Sequence, residues 1–482
     1  MENHPEEQPV QQQNEAPCEP CEDQPTHVEN ASPQEHHNDN QSQECHENGQ
    51  VCEESDSCQQ EESQKDQKSY NKVFCFGNAE CDQFYIDDDN FESKRPVEVP
   101  FFGQAKLKIM KIACGTQHSM VLSEDGKVFT WGNADDGCLG REITQRSTIP
   151  GEVVLPIAVD LISAGESHSI CANSLTGAIF IWGTIKSSLK GKLFNHTTPK
   201  EMNFYTFNRK GIQDLKSGAN HIVVLSGKKA FTWGDNDTGA LGTHFREHME
   251  EKKIFEPNGL SVANVVRIFV GANNTFLQNA KGHIYGCGLN NYGQMGIDQN
   301  GSEDYVVRTP EPIPELDGLE VAEIIGGEHH TIVLMKDGAV YGAGRNDDGQ
   351  LGELNESDAI GGFKRLDHID NIEHVISANH YNYAKEKDED SYYAWGFGMS
   401  FVLANGREDS LTEARKINNE KFFTEGFPSY VSLGHSFVSF AINPLGSNDL
   451  LKQTIQESKP KKRAPAAMLT RETAKRIQNA DN

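Results

Sequence analysis

The chain has 482 residues, 36% of them hydrophobic and 24% charged, and its 72 Asp and Glu against 44 Lys and Arg give a formal net charge of −28. A field of that sign repels phosphate backbones, which excludes a general nucleic-acid binder and favours basic partners. The opening residues are polar and no run approaches the roughly 18 apolar residues of a membrane helix, so an intracellular protein without signal peptide or membrane span is expected.

Residues 1–70 hold 18 acidic residues against two lysines. Nearly devoid of aliphatic side chains, they cannot bury enough apolar surface to offset the entropy of ordering, and a disordered acidic tail is expected. Its cysteines, Cys18, Cys21, Cys45, Cys52 and Cys58, lack a second pair at ligand spacing and any apolar residues to pack about a metal, so no metal site is read there.

At residue 71 the texture changes to short apolar segments punctuated by glycine. An aromatic-rich strand closed by glycine recurs seven times, at Gly77, Gly132, Gly183, Gly234, Gly288, Gly344 and Gly396, at intervals of 51 to 56 residues, and all four Trp share one slot of it. Before most copies lies Gly-x-x-His, at Gly115–His118, Gly165–His168, Gly218–His221 and Gly327–His330; Asn274 and Tyr381 fill the His slot of two degenerate copies. A Gly-x-Leu-Gly type of turn follows at Asp136–Gly140, Thr238–Gly242, Tyr292–Gly296 and Asp348–Gly352. Each repeat reads as about four short antiparallel strands, whose sheet cannot cover its own faces unless such sheets are arranged radially.

The expected fold is therefore all-β, a seven-bladed β-propeller over residues 71–445, preceded by the acidic tail 1–70 and followed by a basic tail, 446–482. The last glycine element, Gly434–Phe437, has no aromatic strand after it, and the spare one stands at Lys72–Gly77. The N-terminal strand is expected to pair into the last blade and close the ring.

One repeat departs from the pattern. After Trp182 and Gly183 the turn gives way to Thr184, Ile185, Lys186, Ser187, Ser188, Leu189, Lys190, Gly191, Lys192, Leu193 and Phe194, a candidate protrusion. The two variable residues of each Gly-x-x-His loop are expected at one rim, which nominates Glu166, Asn220 and His329, with Gln117, Asn273 and Glu328 beside them. The histidines, one per blade, read as repeated strand-anchoring hydrogen bonds rather than a metal array. No nucleophile, paired acid or metal cluster stands out from the repeat, so no covalent catalysis, metal or cofactor is expected. In the C-terminal tail, Lys459, Lys461, Lys462 and Arg463 match a short nuclear import signal, and Arg471, Lys475 and Arg476 suit contacts to DNA phosphates.

The repeat, with these three elements, resembles that of the regulator of chromosome condensation family over residues 71–442. That superfamily also holds ubiquitin ligases, a plant light receptor and secreted inhibitors. Too little chain follows the propeller for a ligase domain, and the Trp residues lie in a strand slot instead of stacking on a surface. Three stretches, Ser163–His168, Gly282–Tyr292 and Gly326–Thr331, resemble the exchange-factor branch in particular. The resemblance implies a guanine-nucleotide exchange factor for the small GTPase Ran, acting by binding, in the nucleus and at chromatin. It implies that residues 184–192 form the wedge entering the GTPase and that Glu166, Asn220 and His329 belong to the GTPase-binding rim. Further implied partners are histones or chromatin DNA, reached through the tails, and a nuclear import receptor, with no membrane. The family usually carries Asp where Asn220 stands, so Asn220→Asp is expected to speed exchange. The alternative is a non-catalytic propeller scaffold binding another protein or GTPase.

Overall fold

The computed structural model describes residues 71–442 except 87–90, 188–190, 203, 205–206, 208–209, 244–256, 298–304, 353–358 and 427. The two tails expected from the sequence lie outside the described residues.

The described chain forms seven four-stranded antiparallel sheets. Strands are lettered a to d in sheet order from the hub outward; in blade 1 they are Ile109–Cys114, His118–Ser123, Val128–Gly132 and Gly151–Val153. The a strands of neighbouring blades contact one another in sequence around the ring and make the hub. The b and c strands are covered on both faces by adjacent blades. That is why they read as near-continuous apolar runs, as in His221–Ser226, which is buried throughout. The hydrophobic core is accordingly divided into seven clusters, among them one between blades 2 and 3 built on Ile181, Phe207, Ile222 and Trp233, and one between blades 7 and 1 that closes the circle.

Closure follows the expected route and extends it. The strand Lys72–Asn78 pairs with Phe437–Ile442 in a continuous register from Lys72↔Ile442 to Gly77↔Phe437. Phe74 stacks on Phe440 at 5.2 Å, and the buried Cys75 thiol meets the Ser439 hydroxyl at 3.2 Å. A second N-terminal strand, Glu92–Val99, then adds outside the first, so blade 7 takes its two outer strands from the start of the described chain and its two inner ones from the end.

The glycine that closes each c strand is set by geometry. Gly183 has φ +91°, and a Cβ there would lie 2.4 Å from the Ser167 carbonyl oxygen. The b strand's entry loop passes so close that no side chain fits.

Candidate functional site

The Gly-x-x-His loops join strands a and b, and they gather at the hub on one face. Their first variable residues surround the mouth of a central cavity of ≈ 560 Å³ lined by Thr116, Glu166, Ala219, Ala272, Glu328 and Asn379, among others. Backbone hydrogen bonds link these loops from blade to blade: Thr116 to Glu166, Glu166 to Ala219, Ala219 to Ala272, Ala272 to Gly327, Glu328 to Asn379 and His435 to Thr116, at 2.8–3.2 Å. Between blades 6 and 7 the link is made by side chains, Asn379 Nδ2 to His435 Nδ1 at 3.3 Å. The loops are thus a stiffened collar in which every side chain is held at a fixed angle around the axis.

The histidines anchor blade to blade, as expected, with one exception. His118 Nε2 meets Ser169 Oγ at 2.8 Å, His221 Nε2 meets Thr275 Oγ1 at 3.1 Å, and His330 Nε2 meets Asn382 Oδ1 at 2.9 Å. Each of these partners directly follows the His slot of the next blade, and each also reaches a turn carbonyl of the preceding one: Ser169 to Cys138, Thr275 to Ala240 and Asn382 to Gln350. Trp182 and Trp395 donate to two of the same carbonyls, those of Cys138 and Gln350, at 2.7 and 3.0 Å. The interface between blades 2 and 3 lacks the set. Blade 2 has no such turn, Ile222 stands where the polar partner would be, and neither nitrogen of buried His168 nor the indole nitrogen of Trp233 has a hydrogen-bond partner among the described residues. His168 is an expected anchor that does not anchor.

The turn is missing because the c strand of blade 2 does not stop at its glycine. It runs from Ile179 to Ser187 and pairs with a long d strand, Gly191–Met202, through Ser187↔Gly191 and Lys186↔Lys192. The result is a two-stranded ribbon prolonged beyond Gly183, on the face that carries the collar. Of the expected wedge residues, Thr184 and Ile185 are buried and form its root. The Thr184 amide donates to the Ser167 carbonyl at 2.7 Å and its hydroxyl to the Asp136 carbonyl at 3.0 Å. Lys186 is half-exposed and its ammonium pairs with the Asp136 carboxylate at 2.7 Å. Ser187 and Lys192 lie on the paired strands, and Ser188, Leu189 and Lys190 fall outside the described residues.

The rim candidates are all half-buried on the same face. Asn220 joins the ribbon to the collar: its Oδ1 accepts the Lys186 amide at 2.9 Å, and its Nδ2 donates to Glu166 Oε2 at 2.7 Å. Beside them a recess of ≈ 400 Å³ is lined by Lys186, Asn220, Asp235, Asp237 and Asn273. On the far side of the collar His329 contacts Asn291 Oδ1 at 3.3 Å and stacks edgewise on Tyr292 at 5.2 Å, with Glu328 3.6 Å from its Nε2. Burial holds the His329 ring below its ordinary pKa against the opposing pull of Glu328. Gln117 reaches toward Cys81 at 3.2 Å, and Asn273 donates to the Glu328 carbonyl at 3.4 Å. His380 belongs to this group and was not expected: it lies 3.5 Å from Glu328 and 5.9 Å, ring to ring, from His435. The signal for it exists in the sequence, since it precedes the degenerate slot Tyr381 as His329 precedes His330.

Glu166, Glu328, Asp136, Asp235 and Asp237 give this face an acidic character suited to a basic partner. Among the described residues no group of three or more His, Cys, Asp or Glu is arranged to hold a metal ion.

A family model described as the RCC1-like domain matches residues 72–440. The chain is 28% identical to protein pim1 of Schizosaccharomyces pombe over 78% of its own length and 75% of the relative's. It is 25% identical to the guanine nucleotide exchange factor SRM1 of Saccharomyces cerevisiae, over 71% and 81% respectively. Among solved structures, Prp20p from Saccharomyces cerevisiae, studied with its binding to Gsp1p and histones, superimposes with a TM-score of 0.70 at 24% identity, covering 82% of this chain and 97% of that one. That superposition carries the fold: the same propeller, at an identity too low to carry more.

Proposed function

This chain belongs to the RCC1-like domain family, that of the regulators of chromosome condensation, and from that membership we propose that it is a guanine-nucleotide exchange factor for a small GTPase of the Ran class. An exchange factor needs no nucleophile; it binds the nucleotide-free GTPase more tightly than the loaded one, and linkage then makes factor and nucleotide mutually antagonistic. What it needs is a rigid element able to disturb the phosphate site and a surface to hold the GTPase while it does so.

The observation that carries the reading is the ribbon of blade 2. A regular turn has been replaced by paired strands continuing past Gly183, braced on one side by the Asp136 carboxylate and on the other by Asn220. Residues 184–192 are the proposed wedge, with Thr184 and Ile185 as its root and Lys186 onward as its working part. Glu166, Asn220, His329, Gln117, Asn273 and Glu328 are the proposed rim. The likeness to a relative named as a guanine nucleotide exchange factor, SRM1, supports the activity. For the tails we propose contact with histones or chromatin DNA and, through Lys459, Lys461, Lys462 and Arg463, with an import receptor, in a nuclear protein.

The test is stopped-flow release of a fluorescent guanine nucleotide from Ran. Replacing residues 184–194 by the turn Asp235–Gly242 should leave the ring folded and abolish stimulated release. Undiminished release by that chimera sinks the assignment of the wedge.

A further inference from the structure

Six cationic side chains, Lys94, Arg95, Arg407, Arg415, Lys416 and Lys421, line one cavity of ≈ 830 Å³ in the outer wall between blades 6 and 7. They do so in a body whose residues 71–458 carry a net charge of −17. Lys94 and Arg95 come from the outermost strand of blade 7, Glu92–Val99, and Arg415 and Lys416 from that of blade 6, Leu411–Lys416. Arg407 lies in the loop before that strand and Lys421 in the short helix Asn419–Phe422 after it.

Lys72, Lys108, Lys127, Lys186 and Lys336, elsewhere on the ring, each meet a carboxylate. In this cleft Lys416 does, at 2.7 Å from Glu386, and Lys94 sits over the Phe401 ring at 4.7 Å. Arg95, Arg407, Arg415 and Lys421 have no carboxylate partner among the described residues, and Asp409 is the single acid in the lining. Like charges gathered without counter-charges repel one another, and a bound anion relieves that repulsion. Guanidinium groups suit carboxylates and phosphates alike, through paired hydrogen bonds.

The charges come from four segments spread around a large cavity instead of converging on one point, and Leu403, Ile417 and Phe422 form its floor. That arrangement fits a chain with several carboxylates and an apolar side chain better than a single phosphate. We propose that this cleft binds an acidic linear peptide of a partner protein, its carboxylates held by Arg95, Arg407, Arg415 and Lys421. The cleft lies two or more blades from the ribbon of blade 2, so it can be filled while the collar face is engaged.

The probe is a fluorescein-labelled peptide of six glutamates around a central Leu-Phe pair, titrated with the full chain and followed by anisotropy. It should bind, and the double variant Arg95→Glu/Arg415→Glu should raise its Kd about tenfold or more, because two exposed ion pairs become two repulsions. The same variant should melt like the parent and release nucleotide from Ran unchanged. Lys281→Glu, an exposed lysine in blade 4, controls for net charge and should leave the Kd nearly as it was. The proposal is overturned if the peptide does not bind or the double reversal leaves its Kd unchanged, in which case these cations only keep other strands off two sheet edges. It is equally overturned if tripolyphosphate or short duplex DNA displaces the probe at lower concentration than unlabelled peptide does.

Discussion

The Asn220 amide and the Glu166 carboxylate meet at 2.7 Å across the seam between blades 2 and 3, while the other end of the same amide holds the Lys186 backbone, just beyond the root of the ribbon. The residue nominated from the family for the GTPase-binding rim thus also braces the ribbon. The expectation that Asn220→Asp speeds exchange changes sign on this geometry. A carboxylate there would still accept the Lys186 amide, but it would set two negative oxygens against each other at hydrogen-bond distance. A hydrogen bond to a charged group, about 1.5–3 kcal/mol, is lost and a repulsion gained. Exchange by Asn220→Asp should fall about tenfold or more in stopped-flow release, and Glu166→Gln in the same chain should restore much of it. Faster release by the single variant would return Asn220 to the role of a direct contact.

His168 should be dispensable where its counterparts are not. Phe437 fills the same slot in blade 7, so His168→Phe fits the site and removes a buried group that makes no hydrogen bond. A buried unsatisfied polar group costs about 1–3 kcal/mol, and the variant should raise the urea midpoint accordingly. His118→Phe, which removes one of the two partners of Ser169 and with it the link between blades 1 and 2, should lower it.

Stability should fall as pH drops from about 6.5 toward 4. Burial pushes His118, His221 and His330 down to about 4 and, with its histidine neighbours adding to the effect, His168 to about 3. In that window the unfolded chain takes up protons that the folded chain refuses, so acid favours unfolding, and stability is fully present above the unfolded value. His374, raised mainly by its hydrogen bond to the Glu323 carboxylate, works in the opposite sense at one site. The thermal midpoint measured across the window should decline, and less steeply in His168→Phe.

Removing the chain up to residue 78 should unfold the ring as a whole. Without Lys72–Asn78, the last blade keeps two strands, Glu92–Val99 loses its only sheet neighbour, and the Phe74–Phe440 stack disappears. Calorimetry should show loss of the cooperative transition; a truncated chain melting like the parent would show that closure is not where the ring holds.

Much of the fold was legible because the repeat carries its own geometric demands. Each c strand must end in glycine where the neighbouring loop passes at Gly183-like distance, so seven glycines counted seven blades, and a strand missing at one end and spare at the other gave the closure. Glu92–Val99 was not read because its Lys94, Arg95 and Pro96 resemble a loop; proline and charge are tolerated there since an outermost strand needs no second ladder. The ribbon announced itself as a missing turn, but its long return strand to Met202 is polar and irregular enough to hide. Asn220 and Glu166 stand 54 residues apart, and only the radial arrangement makes them neighbours. His168 was indistinguishable from its working counterparts, because what silences it is Ile222 and a turn missing from its own blade.

The register of the closing strands also fixes how the ring responds to force. Lys72 is paired with Ile442, so the two ends of the described propeller leave blade 7 side by side, at the same end of one antiparallel ladder. Tension applied between them does not slide the strands past each other against all their hydrogen bonds at once. It peels Lys72 from Ile442, then Val73 from Ala441, and onward one rung at a time. If both tails are tethered at once, a pull between the tethers loads this ring along its weakest mechanical direction.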